Sequence, residues 1–307
     1  MNHDQDNPRS SDMGQVSSER LLKHLQVLAE QPRPAESDTL EDCRGYVTAE
    51  FLTAGWLVER HPFSARLADG STLSGVNLIA EHQRYRLGDG PRLCVGAHLD
   101  SRPETPGADD NASAIATLLE LARLMPEAWP DSVGCGLELV AFDLEENGML
   151  GGAEHAERCR CSGVNLKGMV SLEMLGYCDS RPHSQSLPRS LQGLYPDTGD
   201  FIAVVGNQNS ANLIGTWCEG MTQVEALAVE TLAVPDNGNQ LQATRLSDHS
   251  PFWDAGYPAL MITDTSFLRN PHYHLPSDTL ETLDLVFLRN VAQGCLHAVR
   301  NIIHSGL

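Results

Sequence analysis

The sequence predicts a three-layer α/β/α sandwich around a mixed, largely parallel central sheet. Three observations lead there. Short apolar runs of strand length alternate, along almost the whole chain, with longer segments whose apolar residues recur at helical spacing. Strands joined through helices in this way pair in parallel. Finally, several of the apolar runs end in His, Asp or Glu, and α/β folds gather ligands at the carboxyl ends of their strands. No internal repeat and no linker interrupts the alternation, so residues 17–307 read as one domain behind a polar tail, residues 1–16, expected to be disordered.

The elements follow in order. Ser17–Gln31 reads as a helix with Leu21, Leu22, Leu25 and Leu28 on one side, stopped by Pro32-Arg33-Pro34. A second helix runs from about Leu40 to Trp56. Val76–Ala80 and Leu93–His98 are strands, and a helix begins near Ala112. The strand Gly136–Phe142 leads to Gly151 and a short helix ending about Arg158; Gly168–Leu172 is the next strand. The Pro- and Ser-rich stretch Cys178–Asp200 reads as a long surface loop, a type that is often functional. The strand Phe201–Val205, the helix Ser210–Met221, an irregular stretch Val234–Arg245, a short helix from Ser247, the strand Pro258–Thr263 and a last helix, about Leu280–Ile303, complete the chain.

Composition narrows the function. The chain has 307 residues, 41% of them hydrophobic, enough to bury a sizeable core. Its formal net charge of -20 argues against binding nucleic acid or an anionic membrane through a basic surface, and suits attraction of cationic groups such as free amines. No uncharged apolar run approaches a membrane span, and Met1–Gln15 lacks the apolar core of a secretory signal, so a cytoplasmic location is expected. Cys159-Arg160-Cys161 is an isolated couple. Cys43, Cys94, Cys135, Cys178, Cys218 and Cys295 are scattered and read as small buried hydrophobes.

The chemistry concentrates at strand ends. His98 and Asp100 leave one strand, and Asp109 and Asp110 follow in a Gly/Pro-rich loop before a helix. His98 and Asp100 share one face of an extended backbone, which lets Asp100 hold the imidazole if it binds metal. Adjacent carboxylates near one histidine oppose each other unless a cation lies between them. Glu145-Glu146 follows the next strand, Glu173 ends another, and His274 lies in a late polar loop. Two imidazoles with several carboxylates suit zinc, and manganese or cobalt less securely. They are too many for one tetrahedral ion and fit two, bridged by one carboxylate, which together activate water and polarise a carbonyl. Glu145 and Glu146 point apart on an extended chain, so one can bind metal while the other serves as general base.

His98-x-Asp100, Gly107-Ala108-Asp109-Asp110-Asn111-Ala112-Ser113, Glu145-Glu146 and Tyr273-His274 with Asp278-Thr279 resemble the two-zinc exopeptidases of metallopeptidase clan MH, family twenty-eight, whose members are leucyl-aminopeptidase-like or glutamate-carboxypeptidase-like. The resemblance covers roughly Val76 to the carboxyl terminus. It implies the zinc-exopeptidase fold and two zinc ions. His98, Glu173 and Asp109 would hold one zinc; Glu146, His274 and Asp109 the other, with Asp109 bridging. Glu145 would be the general base and Asp100 would orient His98. Tyr273 is a candidate oxyanion donor or a packing aromatic. The peptide after the bridging Asp, Asp109–Asp110, would be cis. Ser247 or Asp248 would cap a helix, with His249 a wall or structural residue. The implied activity is that of a metallo-aminopeptidase acting on peptides or amino-acid amides; glutaminyl-cyclase-like, carboxypeptidase, dipeptidase or N-acyl amino acid hydrolase chemistry are alternatives on the same scaffold, and a non-enzymatic binding protein a remote one. Glu173 stands where Asp is usual in the aminopeptidases, which leaves the direction of exopeptidase attack open. Substrate-pocket walls are expected from Cys178–Asp200 and Leu241–Arg245, and Arg245 or Arg269 either reads a substrate carboxylate or faces solvent.

Overall fold

A computed structural model describes residues 14–86, 88–128 and 133–306. Its helices are α1 (Ser18–Leu28), α2 (Asp38–Thr53), α3 (Ala114–Leu124), α4 (Leu150–Cys161), α5 (Ala211–Met221), α6 (His249–Asp254) and α7 (Leu285–Ser305). Its strands are β1 (Leu57–Arg66), β2 (Thr72–Glu81), β3 (Arg92–His98), β4 (Gly136–Phe142), β5 (Leu166–Glu173), β6 (Phe201–Asn207), β7 (Ala228–Val234) and β8 (Ala259–Thr263). They form one eight-stranded sheet in the order β1-β2-β4-β3-β5-β8-β6-β7. The central β4, β3, β5 and β8 run parallel, β1 and β2 are antiparallel additions, and β6 meets β8 antiparallel. This is the mixed, largely parallel α/β sandwich that the alternation predicts.

Helix ends follow local chemistry. Ser17 and Ser37 cap α1 and α2 by accepting amide N–H groups of Arg20 and Leu40, and Asp284 takes those of Val286 and Phe287 at the start of α7. The larger core packs α1, α2, α3, α5 and α7 on one sheet face; Phe142, Phe252 and Trp253 anchor α4 and α6 on the other. Gly152 permits that second contact, because a Cβ there would stand 2.4 Å from an oxygen of Asp248.

Two strands escape the pattern. β1 and β7 lie at the sheet edges, where every residue but Val234 is exposed or half-buried, so neither carries a strong apolar signal. The ordered chain begins earlier than the expected 1–16 tail allows: residues 1–13 lie outside the described residues, but Val16 is buried and donates its N–H to Gln293 in α7. Among the described residues, no helix is long and apolar enough to cross a membrane.

Arg33 is the largest polar contributor to the core. It is fully buried, and its guanidinium donates to the carbonyls of Leu28, Leu99, Pro106 and Gly107. The helix stop at Pro32-Arg33-Pro34 thus fixes both ends of the loop that leaves β3.

His24 is buried against Tyr46, whose hydroxyl lies 2.7 Å from its Nδ1. Burial, helped by Arg20, pushes its pKa from 6.5 down to about 4. As pH falls from about 6.5 to about 4, the unfolded chain takes up a proton that the folded chain refuses, so stability falls across that window. His24→Gln should flatten the acid side of the stability profile by on the order of 1 kcal/mol per pH unit, measured by urea unfolding of both proteins. Equal slopes would show that His24 does not titrate in this way.

Candidate metal and catalytic site

The adjacent strands β4, β3 and β5 deliver their last residues to one place. His98 ends β3 and Glu173 ends β5, while Glu145 and Glu146 follow β4. His274 arrives from the loop between β8 and α7 and adopts a positive φ of 58°.

Asp110 stands between the two histidines. Its Oδ1 lies 3.2 Å from His98 Nε2 and its Oδ2 lies 3.2 Å from His274 Nε2. Glu173 Oε2 is 3.6 Å from His98 Nε2, and Glu146 Oε2 is 3.3 Å from His274 Nε2. Two donor trios result, His98/Asp110/Glu173 and Asp110/Glu146/His274, sharing Asp110. The sequence reading of Asp109 as the shared carboxylate is therefore corrected by one position. Asp109 faces away, toward Gly176, whose N–H it accepts at 2.9 Å, and toward Asn270, whose amide donates to it at 2.7 Å. The cis peptide moves likewise, to Asp110–Asn111.

The turn is set by backbone chemistry. Asp278 accepts the N–H groups of both Asp109 and Asp110, at 2.9 and 3.1 Å. Asn111 donates to Leu172 O and accepts from Met174 N, which stitches the turn to the end of β5. Gly107 opens the loop at a φ of 67°, a left-handed conformation that suits glycine.

Asp100 acts differently from the expectation. His98 Nδ1 lies 3.0 Å from the main-chain oxygen of Asp100 and 3.5 Å from its carboxylate. The carboxylate instead accepts the amide N–H groups of Glu145 and Glu146, each at 3.1 Å. One residue thus orients the imidazole through its backbone and the Glu145-Glu146 turn through its side chain.

Two residues emerge that sequence reading assigned to a helix cap. Ser247 Oγ donates to Glu173 Oε2 at 2.7 Å and fixes that carboxylate. Asp248 makes no cap bond; it is fully buried, and burial with Asp100 and Glu173 nearby pushes its pKa up to about 8. Arg102, which carried no motif signal, places its Nε 2.7 Å from Glu146. His249 is structural: buried, 2.9 Å from Thr244 O and edge-on to Trp253. Tyr273 stacks on His274 with ring centroids 3.7 Å apart. Burial and the carboxylates of Asp110, Glu173, Glu146 and Glu145 raise its pKa, which keeps the phenol protonated as a donor.

Electrostatics set what this arrangement can hold. Burial alone would lower the pKa of His98, but Glu173 and Glu145 outweigh it and hold it well above the usual value. His274 is raised to about 9, Asp110 and Glu146 overcoming its burial. Glu145 is raised by burial, against the pull of His98, with Glu173 and Asp248 adding to the rise. The site draws positive charge to the spaces beside each Nε2. His98 Nε2 and Glu146 Oε1 are buried without a well-formed hydrogen bond. Such atoms are what a ligated cation would satisfy, so the donor set fits divalent metal.

Beside Glu173 opens an apolar cleft with a cavity volume of about 90 Å³, floored by Phe201, Ala203, Val205 and Met261. Its walls include Leu187, Leu191 and Tyr195 from the long loop and Leu241, Ala243 and Thr244 from the second expected segment. Neither candidate arginine lines this cleft, although one terminal nitrogen of Arg269 is buried without a hydrogen-bond partner. Arg269 is buried and donates to Phe201 O and Gln185, while Arg245 bonds Asn237 O and Asp254.

Comparison with known proteins agrees with this geometry. The sequence profile of Peptidase family M28 matches residues 77–299. The chain is 34% identical to YfbL of Escherichia coli (strain K12) over 303 residues, 93% of this chain and 88% of that one. It is 28% identical to aminopeptidase YwaD of Bacillus subtilis (strain 168) over 200 residues, 61% of this chain and 36% of that one. Its fold superposes on the aminopeptidase from Aneurinibacillus sp. strain AM-1 with a TM-score of 0.73, at 17% identity and over 95% of each chain. The strand-end donor trios, the Glu145-Glu146 turn and the profile match together place the chain in Peptidase family M28, among the peptide hydrolases.

Proposed function

We propose that the chain is a dinuclear zinc aminopeptidase in which His98, Asp110 and Glu173 hold one zinc and Asp110, Glu146 and His274 the other. The observation that carries this reading is the position of Asp110, whose two carboxylate oxygens each stand 3.2 Å from one histidine Nε2. The similarity to aminopeptidase YwaD supports the amino-terminal direction. When bound, the metals supply Lewis acidity and a lowered water pKa.

The protein's own groups do the rest. Glu145, anchored through its N–H on Asp100 and raised in pKa, takes the proton of the attacking water and passes it to the leaving amine. Tyr273, protonated beside His274, donates to the developing oxyanion. Ser247 and Asp100 keep Glu173 and the Glu145-Glu146 turn from swinging. The acidic surroundings favour a substrate with a free α-ammonium group. The apolar cleft beside Glu173 takes the first side chain, and its lining suits a large aliphatic or aromatic one. A cytoplasmic location belongs to the same reading.

Three measurements test it. Asp110→Asn should lose bound zinc from both positions in elemental analysis, whereas Asp109→Asn should keep it; zinc loss only in the Asp109 variant would restore the other register. Glu145→Gln should retain its zinc and lose about 10²–10⁴-fold in kcat on a dipeptide with a free amine. Full turnover would remove Glu145 from the base role. Cleavage of amino-blocked substrates would move the assignment to carboxypeptidase or acylase chemistry, and a single zinc without hydrolysis to cyclase chemistry. Ala243→Trp, which fills the cleft, should raise KM at least about tenfold for leucyl or phenylalanyl substrates and leave alanyl substrates little changed. An equal effect on all three would place the first side chain elsewhere.

A further inference from the structure

A second chemistry-bearing cluster lies at the opposite ends of the same strands. Cys94 of β3 and Glu138 of β4 are register partners on neighbouring parallel strands, and both face α4. His155 and Cys159 are four residues apart on that helix, one above the other on its inner face. The four residues are buried. His155 Nε2 is 2.8 Å from Glu138 Oε1 and 3.8 Å from Cys159 Sγ. The donor atoms of Cys94, Glu138 and His155 all lie within 4.8 Å of one another.

We propose that Cys94, Glu138 and His155, with Cys159 as the fourth donor, form a structural site for a thiophilic divalent cation, zinc foremost. A set of two sulfurs, one imidazole and one carboxylate is the borderline mixture that zinc takes tetrahedrally in closed sites. Charge is provided for: two thiolates and one carboxylate exceed a divalent ion by one negative charge, and Arg92 lies 3.1 Å from the outer oxygen of Glu138. The shell is apolar. The rings of Phe142 and Phe252 flank the imidazole at 5.9 and 6.1 Å between centroids, an environment that excludes water from a site. His155 Nδ1 has no hydrogen-bond partner, while Nε2 is the nitrogen that faces Glu138. An entry route exists, because a surface cleft lined by Glu59, Glu81, Arg86, Arg92 and Arg158 reaches Glu138.

The position gives such a site its use. β3 and β4 end at His98 and just before Glu145-Glu146, and α4 begins right after that turn. A metal joining β3, β4 and α4 beneath the turn would brace the strands and helix that aim the proposed ligands and base. The alternative occupant of the same space is the ion pair of a protonated His155 with Glu138, without metal.

Cobalt(II) substitution separates the two. Neither donor trio at the strand ends contains cysteine. A thiolate-to-cobalt charge-transfer band in the near ultraviolet therefore separates a cysteine-containing site from those trios, the cysteine variants assign it to this cluster rather than to exposed Cys161, and weaker visible bands report on cobalt held by imidazole and carboxylate. Metal-stripped full-length protein reloaded with cobalt(II) should show the ultraviolet band, lose it in Cys94→Ser, and keep it in His274→Ala. Cys159→Ser, at the last turn of α4, should also lose or shift it and serves if the Cys94 variant does not fold. Visible bands without the ultraviolet band in the wild-type protein would overturn the proposal, as would a band unchanged in both cysteine variants. Because the readout is a sulfur signature, its failure leaves the aminopeptidase reading untouched, and failure of that reading leaves this one standing.

Discussion

The structure depends on crowding carboxylates around two imidazoles in a largely buried place. Asp110, Glu145, Glu146 and Glu173 converge on His98 and His274, with Asp100 and Asp248 just behind. Burying so much negative charge is costly unless positive charge lies between the oxygens. The raised pKa values of both histidines express that demand in protons, and divalent metal meets it with twice the charge per position. Everything close to the site keeps those oxygens from relaxing apart.

That restraint comes mainly from neutral donors and from the backbone. Asp278 takes two consecutive amide N–H groups at the Asp109–Asp110 turn, Asp100 takes two at the Glu145–Glu146 turn, and Ser247 holds Glu173. Farther out, Arg33 gives its guanidinium to four carbonyls rather than to a carboxylate. It rigidifies the loop from Leu99 to Gly107, and its buried charge also acts on Asp278, Asp110 and Asp100. Among the described residues, the arginine that does reach a proposed ligand is Arg102, which touches Glu146 from a half-exposed position.

How much of this was legible follows from where the information sits. His98, Glu145, Glu146, Glu173 and His274 could be found because each stands just past an apolar run or in a dense polar loop, and strand ends are read from local pattern. The choice between Asp109 and Asp110 could not be read locally. Both are Asp, adjacent and in the same loop; what separates them is Asn270 and Gly176 claiming one carboxylate, while the histidines face the other. Ser247 and Asp248 are ambiguous for a related reason: a Ser-Asp pair before a helix looks the same whether it caps the helix or faces a buried carboxylate, and here Asp248 stands at the N-cap position without a cap bond while Ser247 holds Glu173. The edges β1 and β7 left almost no trace, because an edge strand that is only half-buried on its inner face shows little apolar alternation.

The same reasoning explains why the four residues behind the site looked bland in sequence. Cys94 is one apolar letter in a buried strand, and Cys159 is half of a Cys-Arg-Cys couple whose other member, Cys161, is exposed. Glu138 is a lone acid inside a fully buried strand, and that is the informative residue: a carboxylate in such a place requires a partner. Its partners arrive from the strand beside it and from the helix that follows the Glu145-Glu146 turn. β3 and β4 therefore carry polar clusters at both ends, one open to substrate and one closed, with an apolar stretch of Val95, Ala97, Leu139 and Ala141 between them. The two clusters share one parallel strand pair, so the buried cluster and the site residues are held by the same backbone. The composition of the buried cluster thus bears on catalytic geometry although none of its members touches a substrate.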